Sequence, residues 1–453
     1  MRSLFSPTIR PVRLAVLGLA LSVVIMVSPA SAATGIESLT GYGITQFVAS
    51  PAGENLVSFD WDSTGALYYT TGAPNFGLGL NVYRNVGGST TAVYPSPSVF
   101  AGSRITAVGP FVFFNDGGDF VRYTYNYFAY NVAQGGAPFL AYDSSAQPLS
   151  LWGIDTRDGA QFFASGAVGF GPSSIYYMPT PADGVLNGLV SLGEIGESSG
   201  PVAFDSAGNL FYAHGYSFSG QAKIFRWTAA ELAAAIANPV LAPLAPANHE
   251  WAAIPASFTG AVGMIVDAGG NVYVTANAFG SPGELLLYRP AVAGSTPAPL
   301  SLARYPERLE TLRLRDGKIH MSCAAGIFRM PVPLSVSLGG DAQIHAVAGK
   351  TLTLSVHTLG GEGTLSYRWF LTGVGKADIP VGDDSPTLNI APAKGDQGRG
   401  YYCEVSDAGI TVISPTYTLE VVIPAPVASW FTLVAMAMGT ALVGVMRVRQ
   451  RRV

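Results

Sequence analysis

One phrase recurs along this chain: an apolar run, an aspartate, two small residues, a glycine and a second apolar run. It reads VAFDSAGNLFYA at 202–213 and VGMIVDAGGNVYVTA at 262–276. Variants of its first half stand at NLVSFDWDSTG (55–65), RITAVG (104–109), SLWGIDTRDG (150–159) and LETLRLRDG (309–317). An Asp opening the turn accepts from nearby backbone N–H groups, and a Gly closing it adopts positive φ, so each copy predicts a tight hairpin. The second strands begin at Ala66, Phe111, Ala160, Asn209, Asn271 and Lys318. Third strands follow at NVYRN (81–85), FVRYT (120–124), SIYYM (174–178), KIFRW (223–227), LLLYR (285–289) and GIFRM (326–330). Weaker fourth strands are TAVYPS (91–96), FLAYD (139–143), LVSLGEI (189–195), HEWAAI (249–254) and LSLARY (300–305).

A period of roughly 45–50 residues with four strands per unit is the pattern of a propeller. A single meander cannot bury both of its faces, whereas stacked copies bury each other's. The sixth copy lacks a fourth strand, and ITQFVAS (44–50), which precedes the first copy, is positioned to supply it and close the ring. One gap is wider, and it contains Thr228-Ala229-Ala230-Glu231, a capping box leading into ELAAAIA and stopped by Asn238-Pro239. Residues 229–250 are therefore expected to be a surface insertion with a short helix.

The two ends differ from the body. Residues 1–13 carry three arginines and no acid, LAVLGLALSVVIMV follows, and Ala30-Ser31-Ala32 fits signal-peptidase cleavage between Ala32 and Ala33. At the other end WFTLVAMAMGTALVGVM (430–446) is uncharged and four arginines follow, which predicts one membrane helix with a cytoplasmic tail. These ends hold seven of the 25 Lys+Arg and none of the 29 Asp+Glu, so the exported body has eleven more acids than bases. That balance argues against nucleic acid as a partner and favours a neutral or weakly basic ligand. Two cysteines, Cys323 and Cys403, do not make a disulfide framework.

Residues 332–422 change character. They carry LSYRWFL (365–371) with Trp369, and DQGRGYYCEVSD (396–407) with Tyr401 two residues before Cys403. This segment resembles the immunoglobulin-like modules of bacterial surface proteins, which implies a β-sandwich core built on Trp369, Tyr401 and Cys403. Val356 stands near the position of the family's partner cysteine, so the usual inter-sheet disulfide is missing. The tail resembles a PEP-CTERM sorting signal: Pro424 and Pro426 match its prolines, while Ala425 replaces the usual glutamate. That resemblance implies an exosortase as partner and a place in the cell envelope or its matrix. The repeat itself resembles six-bladed NHL/SMP-30-like propellers.

The expected organisation is thus all-β: a signal peptide (1–32), a six-bladed β-propeller (33–331), an Ig-like β-sandwich (332–422) and a sorting and membrane anchor (423–453). Chemistry is sparse. His214, His249, His320, His345 and His357 do not pair at ligand spacing, so no metal ligand is assigned. Asp60-Trp61-Asp62-Ser63-Thr64-Gly65 partly matches a calcium loop but lacks the closing Glu, and reads as a turn cap. Asp62, Asp205 and Asp267 recur in equivalent turns, and Arg84, Arg226, Arg289 and Arg329 recur at third-strand ends; repetition in every unit points to architecture. No catalytic residue and no cofactor is assigned. The expected role is binding or scaffolding, with a polysaccharide or a surface protein as ligand. The alternative implied by the propeller resemblance is a calcium-dependent lactonase or lyase, with Glu54, Asn55, Glu197 and Glu310 as candidate channel residues. Mass spectrometry of the mature protein is expected to find Ala33 at its N-terminus, and recovery of intact residues 1–32 would show a retained anchor.

Overall fold

A computed structural model describes residues 35–422, apart from 74–76, 97–103, 116–125, 146–148, 158, 169–170, 291–294 and 373–376. The proposed cleavage site and the sorting motif at 424–426 lie outside the described residues. No helix among the described residues is long and apolar enough to cross a membrane.

Six antiparallel meanders follow one another. Their first strands are Asn55–Trp61, Ile105–Val108, Ser150–Arg157, Val202–Phe204, Gly260–Val266 and Leu309–Arg315. Each first strand packs beside the first strand of the next sheet, and the sixth returns to the first, so the six sheets form a closed β-propeller ring. Closure comes from Thr45–Ala49, which pairs antiparallel with Gly326–Pro331 and completes the sixth blade, as the missing fourth strand implied. Just before it, Glu37–Ser38 adds a fifth strand to the edge of blade five. One correction concerns blade two. Its third strand is Tyr127–Asn131, not 120–124, which lies within an undescribed stretch. The aromatic run was placed too early because FVRYT and YFAYN both alternate. Tyr127 and Ala129 are the pair that reach the core.

The turns behave as their residues dictate. Asp62 Oδ1 accepts from the backbone N–H groups of Thr64 and Ala66 at 2.8 and 3.0 Å. Asp205 and Asp267 repeat this with Ala207 and Asn209, and with Gly269 and Asn271. Gly65, Gly208 and Gly270 stand at φ 87°, 78° and 77°, a backbone region that strains any side chain.

A second regularity lies closer to the axis. In four blades the first strand bulges, around residues 57, 152, 262 and 310. A bulge leaves backbone groups without their ladder partners. In each case a hydroxyl on the second strand accepts a freed N–H: Thr70 from Ser58, Ser165 from Gly153, Thr275 from Gly263, and Ser322 from Thr311. Three of these hydroxyls then donate to the next blade, to the carbonyls of Gly200, Glu310 and Val57. The buried polar groups thus satisfy one another while stitching neighbouring blades.

Within blade four, between its third strand Lys223–Trp227 and its fourth Glu250–Ala253, the insertion forms helix α1, Ala229–Ala237, with both bonds of the Thr228–Glu231 capping box present. Its Leu232 and Ala235 are buried against Phe163 and Leu192. After Pro331 the chain builds two further sheets, of three and six strands, around a common core. This sandwich sits on the turn face of the propeller. A Cβ on Gly269, in the blade-five turn, would come within 3.2 Å of Leu359. The joint is fastened by Tyr42, whose hydroxyl donates to Asp407 Oδ2 at 2.9 Å and accepts from the Leu334 N–H at 2.8 Å. Arg289 Nη2 donates to the Leu334 carbonyl at 3.0 Å.

The hydroxyl bridges make a testable claim. Thr275→Val keeps the shape but strands the Gly263 N–H and the Glu310 carbonyl. It is expected to cost about 2 kcal/mol, the penalty for buried groups left without partners, in a denaturant titration. A cost near zero would show that the bridge contributes nothing to stability.

Candidate functional site

Charged side chains inside apolar inner strands are the exception that locates the site. Arg104, just before the first strand of blade two, points across the ring. Its Nη2 lies 3.5 Å from Glu310 Oε2 in blade six. Blade one separates these two blades, so the contact crosses in front of it, within the central channel. The Arg104 guanidinium also stacks 4.7 Å from the ring centre of Trp152 in blade three. Arg308, nearer the rim, places Nε 3.2 Å from Glu310 Oε1. This upper tier marks the channel mouth on the face opposite the sandwich.

A lower tier lies near the other end of the same strands. Arg313 Nη2 donates to Asp60 Oδ2 at 3.0 Å and to Thr106 Oγ1 at 3.3 Å, and its Nε lies 2.9 Å from Asp60 Oδ1. Asp60 also accepts from the Ala107 N–H at 3.0 Å and the Trp61 N–H at 2.9 Å. Asp155, from blade three, accepts from the Thr156 N–H at 2.7 Å. Between the tiers, the Thr311 hydroxyl donates to Ser58 Oγ at 2.8 Å. Asp155 is half-buried, as a channel wall permits. Burial pushes its carboxyl up to about 6, against the opposing pull of the Arg313 charge and the Thr156 N–H, while Asp60 adds to the rise. For Arg313, burial works against the charge but Asp60 outweighs it and holds the guanidinium firmly protonated.

The residues expected at the channel do not converge. Glu54 accepts from the Thr71 hydroxyl, from Asn81 Nδ2 at 3.1 Å and from the Tyr83 hydroxyl at 2.9 Å, and belongs to blade one alone. Glu197 accepts from the Phe218 N–H at 2.6 Å and the Ser219 hydroxyl. Asn55 opens the first strand of blade one, paired in register with Gly72. Only Glu310 lines the channel, held between two arginines. These residues do not fit a calcium ion, because the carboxylates lie apart and two guanidiniums repel a cation at the mouth. Among the described residues no group of three or more His, Cys, Asp or Glu could hold a metal. The histidines are dispersed: His249 meets Glu231 and His345 meets Glu420, while burial lowers His214 and His320 to about 4.

Asp60 was read only as part of a turn, and it is Asp62 beside it that caps that turn. Asp60, Arg104, Asp155 and Arg313 carried a signal all the same, each being a charge in or beside an apolar strand. The recurring arginines are structural: Arg84 lies over Tyr68, Arg226 over Phe211 and Arg329 over Phe47, at 5.9, 5.8 and 5.2 Å. In the sandwich, Trp369 and Cys403 are fully buried neighbours in register, and Tyr401 joins the same core. Trp369 Nε1 donates to the Ser385 carbonyl at 2.9 Å. Both cysteines are free and buried.

No family model matches the chain, and no curated protein matches it. Solved structures do. A putative TolB from Agrobacterium tumefaciens is 15% identical over 62% of this chain and 91% of its own, with a TM-score of 0.37. Prolyl oligopeptidase B from Galerina marginata is 11% identical over 64% of this chain and 41% of its own, at 0.35. A mutant of AofleA from Arthrobotrys oligospora is 10% identical over 84% and 94%, at 0.39. At such scores these likenesses carry no argument about function.

The raised Asp155 carboxyl fixes a pH dependence. Between about pH 4 and pH 6 the folded chain holds a proton that an unfolded aspartate releases, so charging Asp155 erodes stability as pH rises through that window. Asp155→Asn is therefore expected to stabilise the protein by about 1–2 kcal/mol at pH 7.5, a discounted two-unit shift, and by almost nothing below pH 4. Thermal melts of both proteins across this range check it; a gain that is independent of pH would contradict the assignment.

Proposed function

We propose that the protein is a binding module that presents the channel-mouth face of its propeller to a carbohydrate. The observation that carries this reading is an open aromatic platform on that face. Phe218 and Phe279 are 61% and 76% exposed. Tyr216 joins them, with ring centres 4.8 Å from Phe218 and 5.8 Å from Phe279. Exposed rings grouped on one face cost solvation unless something covers them. Sugar rings offer C–H faces that stack on aromatics and hydroxyls that bond to polar groups beside them, such as the Glu197 and Ser219 pair. The platform comes from the second-to-third-strand loops of blades four and five. Loops on a rigid ring are free to carry binding residues without disturbing the core.

The ends of the chain support a location. The basic, apolar and small-residue order at 1–33 supports export. The apolar stretch at 430–446 with its arginine tail supports a membrane tether, and Pro424, Ala425 and Pro426 support recognition by an exosortase. In this reading the sandwich, an Ig-like spacer with Trp369, Tyr401 and Cys403 in its core, stands between membrane and propeller. The aromatic face then points outward, since the sandwich docks on the opposite face.

An enzymatic reading keeps one supporting observation, the Asp155 carboxyl raised to about 6, which suits an acid–base group at neutral pH. Among the described residues no Ser, Thr or Cys side chain is hydrogen-bonded to it, and the platform lies at the other end of the channel. Binding is accordingly the stronger reading. A panel of surface polysaccharides, probed with the exported body, should give retention that falls at least about ten-fold in the Phe218→Ala, Phe279→Ala double variant, as lost stacking requires. Unchanged retention, or turnover of the bound glycan, would overturn the proposal.

A further inference from the structure

We infer that the channel mouth beside the platform is a carboxylate site, formed by Arg104 and Arg308 and floored by Trp152, and that the acid it takes is a uronate within the bound glycan. The inference rests on reading this face as the carbohydrate face.

The observation that carries it is an incomplete ion pair. Arg104 is only 8% exposed. Its one ionic contact among the described residues, Nη2 to Glu310, is 3.5 Å long, whereas charge-assisted N–H···O bonds settle near about 2.8 Å. Its Nε and Nη1 are buried and have no acceptor. Arg308 lies within ionic reach of the same carboxylate, yet its buried Nε also lacks a hydrogen-bond acceptor. One glutamate is thus divided between two guanidiniums. This trio of side chains is left with one net positive charge and unmet donors on both arginines.

A purely structural pair would be expected otherwise. A buried charge is tolerated when its geometry is good and its hydrogen bonds are complete, and each unmet donor costs free energy. Arg313 and Asp60 in the lower tier meet that standard, with both Asp60 oxygens engaged by the guanidinium. The upper tier does not. A second carboxylate would meet the free donors, and a monoanion would cancel the net charge. The planar guanidinium suits a planar carboxylate, and the Trp152 ring 4.7 Å away holds it in place.

The platform says where that carboxylate comes from. The blade-five loop bearing Phe279 abuts the strand that Arg308 precedes: the Gly283 N–H donates to the Glu307 carbonyl at 2.5 Å, and Asn277 Nδ2 donates to the Leu309 carbonyl at 2.8 Å. Phe279 and Arg308 thus stand on chain segments bonded to each other on the mouth face, so a glycan stacked on Phe279 can extend toward the arginines. The acidic body repels anions at a distance, but this contact is local and low in dielectric, where the nearest charges decide.

Titration calorimetry with the exported body distinguishes the possibilities, using sodium glucuronate, glucose and sodium acetate as probes, and then an oligouronate against its neutral counterpart. Glucuronate is expected to bind at least about ten-fold tighter than glucose, the worth of one charge-assisted bond. Arg104→Met should abolish that preference and Arg308→Gln should reduce it. Glu310→Gln should increase it several-fold by removing the competing carboxylate, and this holds as a test even where Arg104→Met fails to fold. Neutral glycan bound as well as uronate, with Glu310→Gln unchanged, would overturn the carboxylate site and leave the carbohydrate reading standing. No glycan bound at all would overturn both. Acetate bound as tightly as glucuronate would uphold the carboxylate site and overturn the uronate as its source.

Discussion

The pairing of Thr45–Ala49 with Gly326–Pro331 is the constraint on which the rest depends. It joins residues up to 284 apart in sequence, since Thr45 meets Arg329. Without it, blades one and six would be two open ends, and the first strands would have no reason to face a common axis. With it, Ser322 can reach the Val57 carbonyl and Thr311 can reach Ser58, both across the seam between the last blade and the first. These seam bonds have the same form as those between blades five and six, so the closed ring does not register where the chain began. Long-range closure of this kind brings a large loop entropy, which must be met by contacts that form together.

A closed ring also creates a channel lined by six inner strands, and the chain must fill or use it. Small hydroxyls fill the middle: Ser58 and Thr311 bond each other there. Charge occupies both ends. In the lower tier Arg313 and Asp60 satisfy each other, with Thr106 bonded beside them, while the raised Asp155 carboxyl stands next to the pair. The upper tier is open and left with positive charge to spare. The two tiers therefore differ in kind. One is arranged as a structural plug, and the other has the unmet bonding of a site that receives something.

Much of the fold was legible because its signals are local. Asp62, Asp205 and Asp267 each cap a turn through atoms two to four residues away, and the glycines that follow them must take positive φ. The Thr228–Glu231 box is local too. The hydroxyl bridges were not legible, because a Ser or Thr in an apolar strand looks the same whether it is exposed or holding a bulge. The channel was less legible still. Arg104 and Glu310 are 206 residues apart, and nothing in either neighbourhood names the other. What could be read was the anomaly: Asp60, Asp155 and Arg313 break the apolar pattern of strands that ought to be buried. Glu54 and Glu197, chosen for their place at strand starts, turned out to bond within a single blade each, Glu54 to the second and third strands of blade one and Glu197 to the second-to-third-strand loop of blade four. Position along a strand identifies the end of the channel a residue occupies, but only the side-chain direction decides whether it lines the channel.

The two faces of the propeller divide the work. First strands all run from the mouth face to the turn face, and so do third strands; the last third strand therefore delivers the chain to the turn face, where the sandwich begins. That exit leaves the mouth face uncovered by the sandwich. Tyr42 and Arg289 then lock the exit by bonding the backbone of Leu334, three residues beyond the ring. A flexible link would let the propeller turn either face toward the sandwich, whereas a bonded link fixes one. The Tyr42 hydroxyl also bonds Asp407, in the hairpin turn that follows the strand paired with Trp369, so the orientation is referred to the rigid sandwich core and not only to the linker. The aromatic platform and the unsatisfied arginines are consequently held on the same outward face by strand direction and by the joint, although neither feature touches the sandwich.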